Sequence, residues 1–452
     1  MRSSVNRRTR SPTSDGLPAQ KSGDNPQLAS EAKLNQADGA PATASNAVPL
    51  WKLMLLVMGP GLVVMLADTD AGSAITAAQS GAQFAYKLLP FQIILIPILY
   101  VVQELTVRLG LATQRGHGEL IKERFGAFWA WISVSTLVVS CLGALMTEFA
   151  GISGVGLLFG VPQWASIGAT ILFLVVVVAT GSYRQVEIVA LLIGMFEFAF
   201  IAVAIVARPD PHAMLADSIR MPLANKDFLF LIAGNVGAVI MPWMVFYQQS
   251  AVIDKGLCVR HIRPARWDTL LGAFVTQIIM ASILILTAAT IGRTNPQTPL
   301  NSVQEIAKAL TPLIGSYWGR VVFAMGMLGA ALVATIVVSL TAAWGLGEVT
   351  GYKRSLAHHP FEAPWFYVVY TLSLLFGAGI VLSGINLVKL SVGVEVMNAL
   401  LLPVVLGFLF MLAIKAIPEP WRLKGPYAWV VGGIVVLTSV VGVYAGLAGI
   451  FF

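Results

Sequence analysis

The chain has 452 residues, of which 57% are hydrophobic and only 11% charged, with a mean hydropathy of +0.79. A soluble domain carries about 25% charged residues, so this composition excludes a soluble globular fold and makes lipid the solvent. The net charge of +7 does not mark a nucleic-acid binder, because the basic residues sit in short loops between apolar runs, where they act as topology signals.

Residues 1–47 are rich in Ser, Pro, Ala, Asn and Gln and nearly lack aromatics. Such a segment cannot bury enough surface to fold and reads as a disordered cytoplasmic tail. Arg7, Arg8 and Arg10 resemble a targeting region, but no apolar stretch follows before Trp51, so a signal peptide is not expected. Residues 48–452 read as one transmembrane domain. Apolar runs of about twenty residues place about eleven spans at 53–80, 86–111, 128–158, 163–181, 186–207, 228–251, 268–291, 318–346, 363–382, 386–414 and 427–451. One side of the membrane collects the tail and the basic clusters at Arg115, Lys122 and Arg124, at Lys255 and Arg260, at Lys353 and Arg354, and at Lys415, Arg422 and Lys424. The other side receives scattered residues such as Lys87, Arg208, Lys226 and Arg320. This bias puts the N-terminus in the cytoplasm, and an odd number of spans puts the C-terminus outside. Cys141 falls in a span and Cys258 in a cytoplasmic loop, so neither a disulfide framework nor a zinc cluster is expected.

Two spans contain residues that a continuous helix avoids. Span 1 carries Gly59-Pro60-Gly61 and then Ala67-Asp68-Thr69-Asp70-Ala71-Gly72-Ser73; span 6 carries Gly234-Asn235-Val236-Gly237 and then Ala238-Val239-Ile240-Met241-Pro242-Trp243. Each opens a five-span half, with repeats at about 53–207 and 228–414. Matching interruptions in corresponding spans point to an inverted-repeat transporter with its site at mid-membrane. Unwinding frees carbonyls and half-helix ends that can replace water around an ion, and lipid tolerates such backbone only where it is buried or lines a cavity.

Ionisable groups near the bilayer centre cost about 2.5–3.5 kcal/mol each on insertion scales. Asp68 and Asp70 lie in the span 1 break, Glu148 in span 3, Glu197 in span 5 and Glu395 in span 10, with no evident intramembrane Lys or Arg to neutralise them all. A bound cation is the expected compensation for Asp68 and Asp70. Carboxylate oxygens suit Mg²⁺ and Mn²⁺, and the Met241 thioether adds softer character. Glu104 and Arg108, one turn apart, read as an ion pair; Glu197 reads equally as a buried hydrogen-bonded acid. Met195, Met280, Met325 and Met327 read as packing. All five histidines map to loops, which leaves no intramembrane histidine relay.

From Gly59-Pro60-Gly61 to about Pro403 the sequence resembles the natural resistance-associated macrophage protein (NRAMP) family of metal transporters. The family's first-span signature, Asp-Pro-Gly-Asn, reads here Asp70-Ala71-Gly72-Ser73. Further echoes are residues 103–110 (QELTVRLG), Thr147-Glu148-Phe149-Ala150 where the family has Thr-Asp-Leu-Ala, and Tyr183-Arg184-Gln185-Val186-Glu187 before span 5. The resemblance implies an all-α, LeuT-like fold of two inverted five-helix repeats plus an eleventh helix, working by alternating access. It carries the ligand aspartate to Asp70 and the span 1 carbonyl to Ala67. It also carries a span 6 carbonyl to Ala238 and the thioether to Met241, although alignment on Ser250-Ala251 shifts that frame by one. Departures are as telling: Ser73 replaces the ligand asparagine, Trp243 the span 6 histidine, and Gly151 the second acid of span 3. Asp68 is an added carboxylate, and Glu395 takes the place of a ligand-site glutamine. The altered set resembles the divergent NRAMP-related branch that carries Mg²⁺ as well as Mn²⁺.

The function expected is secondary transport of Mn²⁺ and Mg²⁺ across the cell membrane, without tight proton coupling. Apart from that ion and the bilayer, no cofactor, nucleic acid or protein partner is expected. Alternatives are a proton-coupled Mn²⁺/Fe²⁺ symporter and a sodium-coupled amino-acid transporter of the same architecture, whose substrate carboxylate two aspartates in the break would repel. A membrane enzyme lacks a nucleophile–base pair, and a metal sensor lacks a soluble effector module.

Overall fold

The computed structural model describes residues 59–179, 183–293, 299–308, 311–356 and 358–451; the expected tail lies outside them. Every regular element among the described residues is helical. Span 1 is two helices, α1 (Pro60–Asp68) and α2 (Ala71–Phe84), interrupted at Thr69 and Asp70. A 3₁₀ turn, Ala85–Leu88, in which Ala85 adopts a φ of 51°, leads into α3 (Leu89–Thr113). The short α4 (His117–Phe125) precedes spans 3 and 4, α5 (Ala127–Leu158) and α6 (Gln163–Ala179). Span 5 comprises α7 (Tyr183–Gly194), a 3₁₀ segment Met195–Glu197 and α8 (Phe198–Val206). After α9 (Pro211–Ile219), span 6 is again two helices, α10 (Lys226–Val239) and α11 (Pro242–Asp254). There follow a 3₁₀ turn (Val259–His261), α12 (Ile262–Thr287) continued by a π-helical turn (Ala288–Gly292), the short α13 (Val303–Lys308) and α14 (Thr311–Ile314), then α15 (Ser316–Thr350), α16 (Pro364–Leu382), α17 (Leu387–Lys415) and α18 (Gly425–Phe451).

Nine helical stretches among the described residues are long and apolar enough to cross a membrane by length and composition. One of them, Ala71–Thr113, joins the second half of span 1 to span 2, and a further apolar helix, Gln163–Ala179, is shorter. With the joined stretch divided at its 3₁₀ turn and the shorter helix included, each of the eleven predicted spans has a helical counterpart.

Local chemistry explains both predicted breaks. Asp70 is extended (φ −60°, ψ 173°) and caps α2 with its own side chain, as a carboxylate at a helix N-terminus does. Met241 is likewise extended (φ −99°, ψ 143°), as the residue before a proline tends to be. Pro242 lacks the N–H that would close α10 onto the Ala238 carbonyl.

The halves interlock through α1, α2 and α10. α12 packs on α1, α2 and α3; α5 runs along α15 and α17; α10 lies against α17 and α18. The N-terminus of α1 is capped from α12, where Asp268 Oδ2 accepts the Gly61 N–H at 2.8 Å and the Gly59 N–H at 3.3 Å. Asp268 therefore sits within the helix, and span 7 begins earlier than its apolar run predicted. Asn235 of α10 accepts from Gln92 at 2.6 Å and donates to Ser80 of α2 at 2.8 Å.

The other end of span 6 is held by α4. His117 is fully buried beside Phe246, and its Nδ1 is 3.1 Å from Gln249 Oε1. Burial lowers its pKa to about 4, so the ring stays neutral at physiological pH. It opens a helix rather than lying in an open loop; its apolar partners come from α11, which local sequence could not reveal. Glu348 Oε1 and Oε2 accept from Ser250 at 2.8 Å and the Gly118 N–H at 2.7 Å. Glu104 does pair with Arg108, at 2.7 Å, and Arg266 of α12 joins them at 2.7 Å. Met280 and Met327 are core residues, whereas Met195 and Met325 are 62% and 40% exposed on the apolar exterior.

Candidate metal site

The two breaks meet through one hydroxyl. Ser73 donates its N–H to Asp70 Oδ1 at 2.6 Å and its Oγ–H to the Ala238 carbonyl at 2.9 Å. The second bond falls on the carbonyl that Pro242 leaves without a helical donor. Asp70 is completely buried, and its Oδ2 has no hydrogen-bond partner. A carboxylate oxygen cannot be left so in an apolar interior without a compensating charge or proton.

Further carboxylates converge on the start of α2. Glu148 of α5 accepts the Ala71 N–H on Oε2 at 3.1 Å and the Thr147 hydroxyl on Oε1 at 3.2 Å. Ala71 is the residue whose N–H would otherwise bond the Ala67 carbonyl, so Ala67 lacks that closure at the end of α1. Glu395 of α17 is fully buried; Oε2 accepts from Asn398 at 3.1 Å, and Oε1 has no partner. Gly72 makes room for it: a Cβ there would lie 2.3 Å from Glu395 Oε1. Asp70, Glu148 and Glu395 are close enough to feel one another's charge.

The structure thus brings Asp70, Ser73, Ala238 and Glu395 to the crossing of α2, α10 and α17. Met241 lies within the span 6 break, fully buried, and its thioether accepts the Trp243 indole N–H at 3.1 Å. The Trp243 indole therefore orients the sulfur. Asp68, the last residue of α1, turns one oxygen toward α12, where its Oδ2 accepts the Thr276 hydroxyl at 3.2 Å, while it stays close enough to Asp70 and Glu395 for their charges to interact. Glu148, which the sequence locates only in span 3, is part of the cluster, because α5 crosses the break; no local signal announces that. Asn398 was also missed. It sits three residues after Glu395, one helical turn on, and accepts from Ser140 at 2.7 Å. Among the described residues no three His, Cys, Asp or Glu side chains close on one point. A cation held here would therefore complete its shell with carbonyl, hydroxyl, thioether or water.

Two broken spans meeting at a buried, incompletely satisfied carboxylate define a multi-pass membrane transporter of LeuT-like fold. The chain belongs to the NRAMP family: the model described as natural resistance-associated macrophage protein-like matches residues 61–448. It is 29% identical over 304 residues to the divalent metal cation transporter MntH of Yersinia pestis (strain Pestoides F), covering 65% of this chain and 72% of that one. It is 28% identical over 329 residues to MntH of Mesorhizobium japonicum, covering 68% and 70%. In structure it is similar to a manganese transporter of Eremococcus coleocola solved with an aromatic bis-isothiourea compound, with a TM-score of 0.71 at 21% identity, covering 91% and 90% of the two chains. MhsT in complex with L-phenylalanine shares the fold more distantly, with a TM-score of 0.57 at 14% identity, covering 91% and 100%. The chain is a transporter and not an enzyme.

Proposed function

We propose that this protein carries divalent metal cations, Mn²⁺ and Mg²⁺ alike, across the cell membrane by alternating access, with its N-terminus in the cytoplasm and its C-terminus outside. The observation that carries this reading is Asp70, whose buried, unpartnered Oδ2 sits in one break while Ser73 ties the other break to it. A divalent ion would replace the Ser73–Ala238 bond with direct or water-bridged coordination. An amino-acid substrate fits less well, because its carboxylate needs the N-terminus of α2, and Asp70 and Glu148 already receive those N–H groups.

Hard character comes from Glu395, whose free Oε1 adds an anionic oxygen where a neutral amide would give a weaker one. Glu395→Gln is expected to weaken Mg²⁺ transport more than Mn²⁺ transport, by a few-fold, since a charge-assisted contact outweighs a neutral one by about 1 kcal/mol. Competitive uptake with both ions reads the ratio; equal losses would remove Glu395 from ion selection.

Tight proton coupling is not expected. Trp243 cannot titrate, and the second acid place holds Gly151. Glu148 favours the competing reading, a proton-coupled symporter, because it touches the site directly. Proteoliposomes with an internal pH dye and clamped potential separate the two. Metal uptake without internal acidification supports uniport; metal-dependent acidification well above that of empty liposomes assigns symport.

A further inference from the structure

Beyond the Asp70 crossing, a second group of oxygens lies on the other face of the span 1 break. Asp68 is 1% exposed, and its Oδ1 has no hydrogen-bond partner. Its Oδ2 accepts from Thr276 of α12, and Thr276 and Thr69 share a hydrogen bond at 2.8 Å. Facing them from span 5 is Glu197, fully buried, within reach of the Thr69 side chain and of the Asp68 charge, with no well-formed hydrogen bond to either carboxylate oxygen. Glu197 ends the 3₁₀ segment that interrupts α7 and α8, and such a segment inside a helix often marks a functional position. Among the described residues no Lys, Arg or His forms an ion pair with Asp68 or Glu197.

Two buried carboxyls with three unpartnered oxygens between them are an unstable arrangement in a dry interior, where an uncompensated ion costs several kcal/mol. Protonation alone does not satisfy them, since a neutral carboxyl still presents an O–H and a carbonyl that want partners. We infer that Asp68, Thr69, Thr276 and Glu197 form a second cation site, separate from the Asp70 crossing, that takes a hard cation of the Mg²⁺ or Na⁺ type. The donors are carboxylate and hydroxyl oxygens only. No sulfur or nitrogen is among them, so a soft metal gains nothing here that it lacks beside Met241. The site joins α1 to α12 and to the interrupted span 5, so its occupant would tie the first half of the fold to the second.

The test is cation stoichiometry on the purified protein in lipid nanodiscs. Equilibrium dialysis with Cd²⁺ fills the thioether-containing site, and Mg²⁺ or radiolabelled Na⁺ is then added in separate arms. Wild type is expected to retain one hard cation beside Cd²⁺; the arm in which it does so identifies the ion. Glu197→Gln is expected to weaken that retention at least about tenfold, as loss of a buried charged ligand does, while Cd²⁺ binding is unchanged. Thr276→Val removes a hydroxyl with little change of shape and carries the same expectation if Glu197→Gln fails to fold. Retention of neither ion by wild type, or unaltered retention in both variants, overturns the inference. So does parallel loss of Cd²⁺, which would mean a single shared site. Failure of wild type to bind Cd²⁺ at all would instead count against the proposed transport site.

Discussion

Asp70→Asn is expected to abolish metal uptake while leaving the fold in place, whereas Asp70→Ala should abolish uptake and also lower thermal stability. The two substitutions separate the two jobs of one side chain. Oδ1 caps α2 by accepting the Ser73 N–H, and an asparagine oxygen can still do that; alanine cannot, at a typical loss of about 1 kcal/mol. Oδ2 accepts no hydrogen bond and, in the transport site proposed above, would supply the charge for a cation. Removing one partner of a buried ionic contact costs about 3–5 kcal/mol, or roughly two to three and a half decades of affinity at about 1.4 kcal/mol per decade. Mn²⁺ and Mg²⁺ should therefore fail together, because neither softness nor hydration replaces the charge. The measurement is uptake of each ion into proteoliposomes, paired with the thermal midpoint of the same preparations. Normal flux in either variant would remove Asp70 from the transport site.

The parts of this molecule that follow from neighbouring residues were legible in the sequence. Apolar runs located the spans, and Pro242 and the Asp70-Ala71-Gly72 stretch located both breaks, because prolines and capping acids act within one turn of themselves. What depends on a helix arriving from far along the chain was not legible. Asp68 and Asp70 look equivalent in sequence, yet one faces Thr276 and the other Ser73. Nothing near Glu148 in the sequence announces its neighbours, Ala71 and Glu395, which are 77 and 247 positions away. The cap that Asp268 gives to α1 spans 207 positions, and His117 is buried by α11 rather than by anything in its own loop. The resemblance placed Ser73 and Ala238 in the site as separate ligands. Their direct hydrogen bond, which couples the two breaks, needed the structure.

Gly151→Asp, which restores an acid to the second span 3 place, is expected to disrupt the protein rather than confer proton coupling. A Cβ at position 151 would stand 2.5 Å from the Ala71 Cβ and 3.3 Å from Met327 Sδ, well inside the ordinary carbon–carbon contact of about 3.5–4.0 Å. The missing side chain is what lets α5 approach the start of α2 closely enough for Glu148 to reach the Ala71 N–H. Forcing a side chain into that contact costs about 1–3 kcal/mol from overpacking alone, and an aspartate adds an unpaired charge beside a thioether. Because Ala71 adjoins Asp70, any shift of α2 moves the site with it. Gly151→Ala should therefore already lose most of the Mn²⁺ uptake and lower the thermal midpoint, with Gly151→Asp lower still. Pairing Gly151→Ala with Ala71→Gly exchanges the crowded methyl groups and should recover a substantial part of both. Uptake at the wild-type rate in Gly151→Asp, accompanied by metal-dependent acidification, would show that the contact can open and that the acid place is vacant by sequence alone.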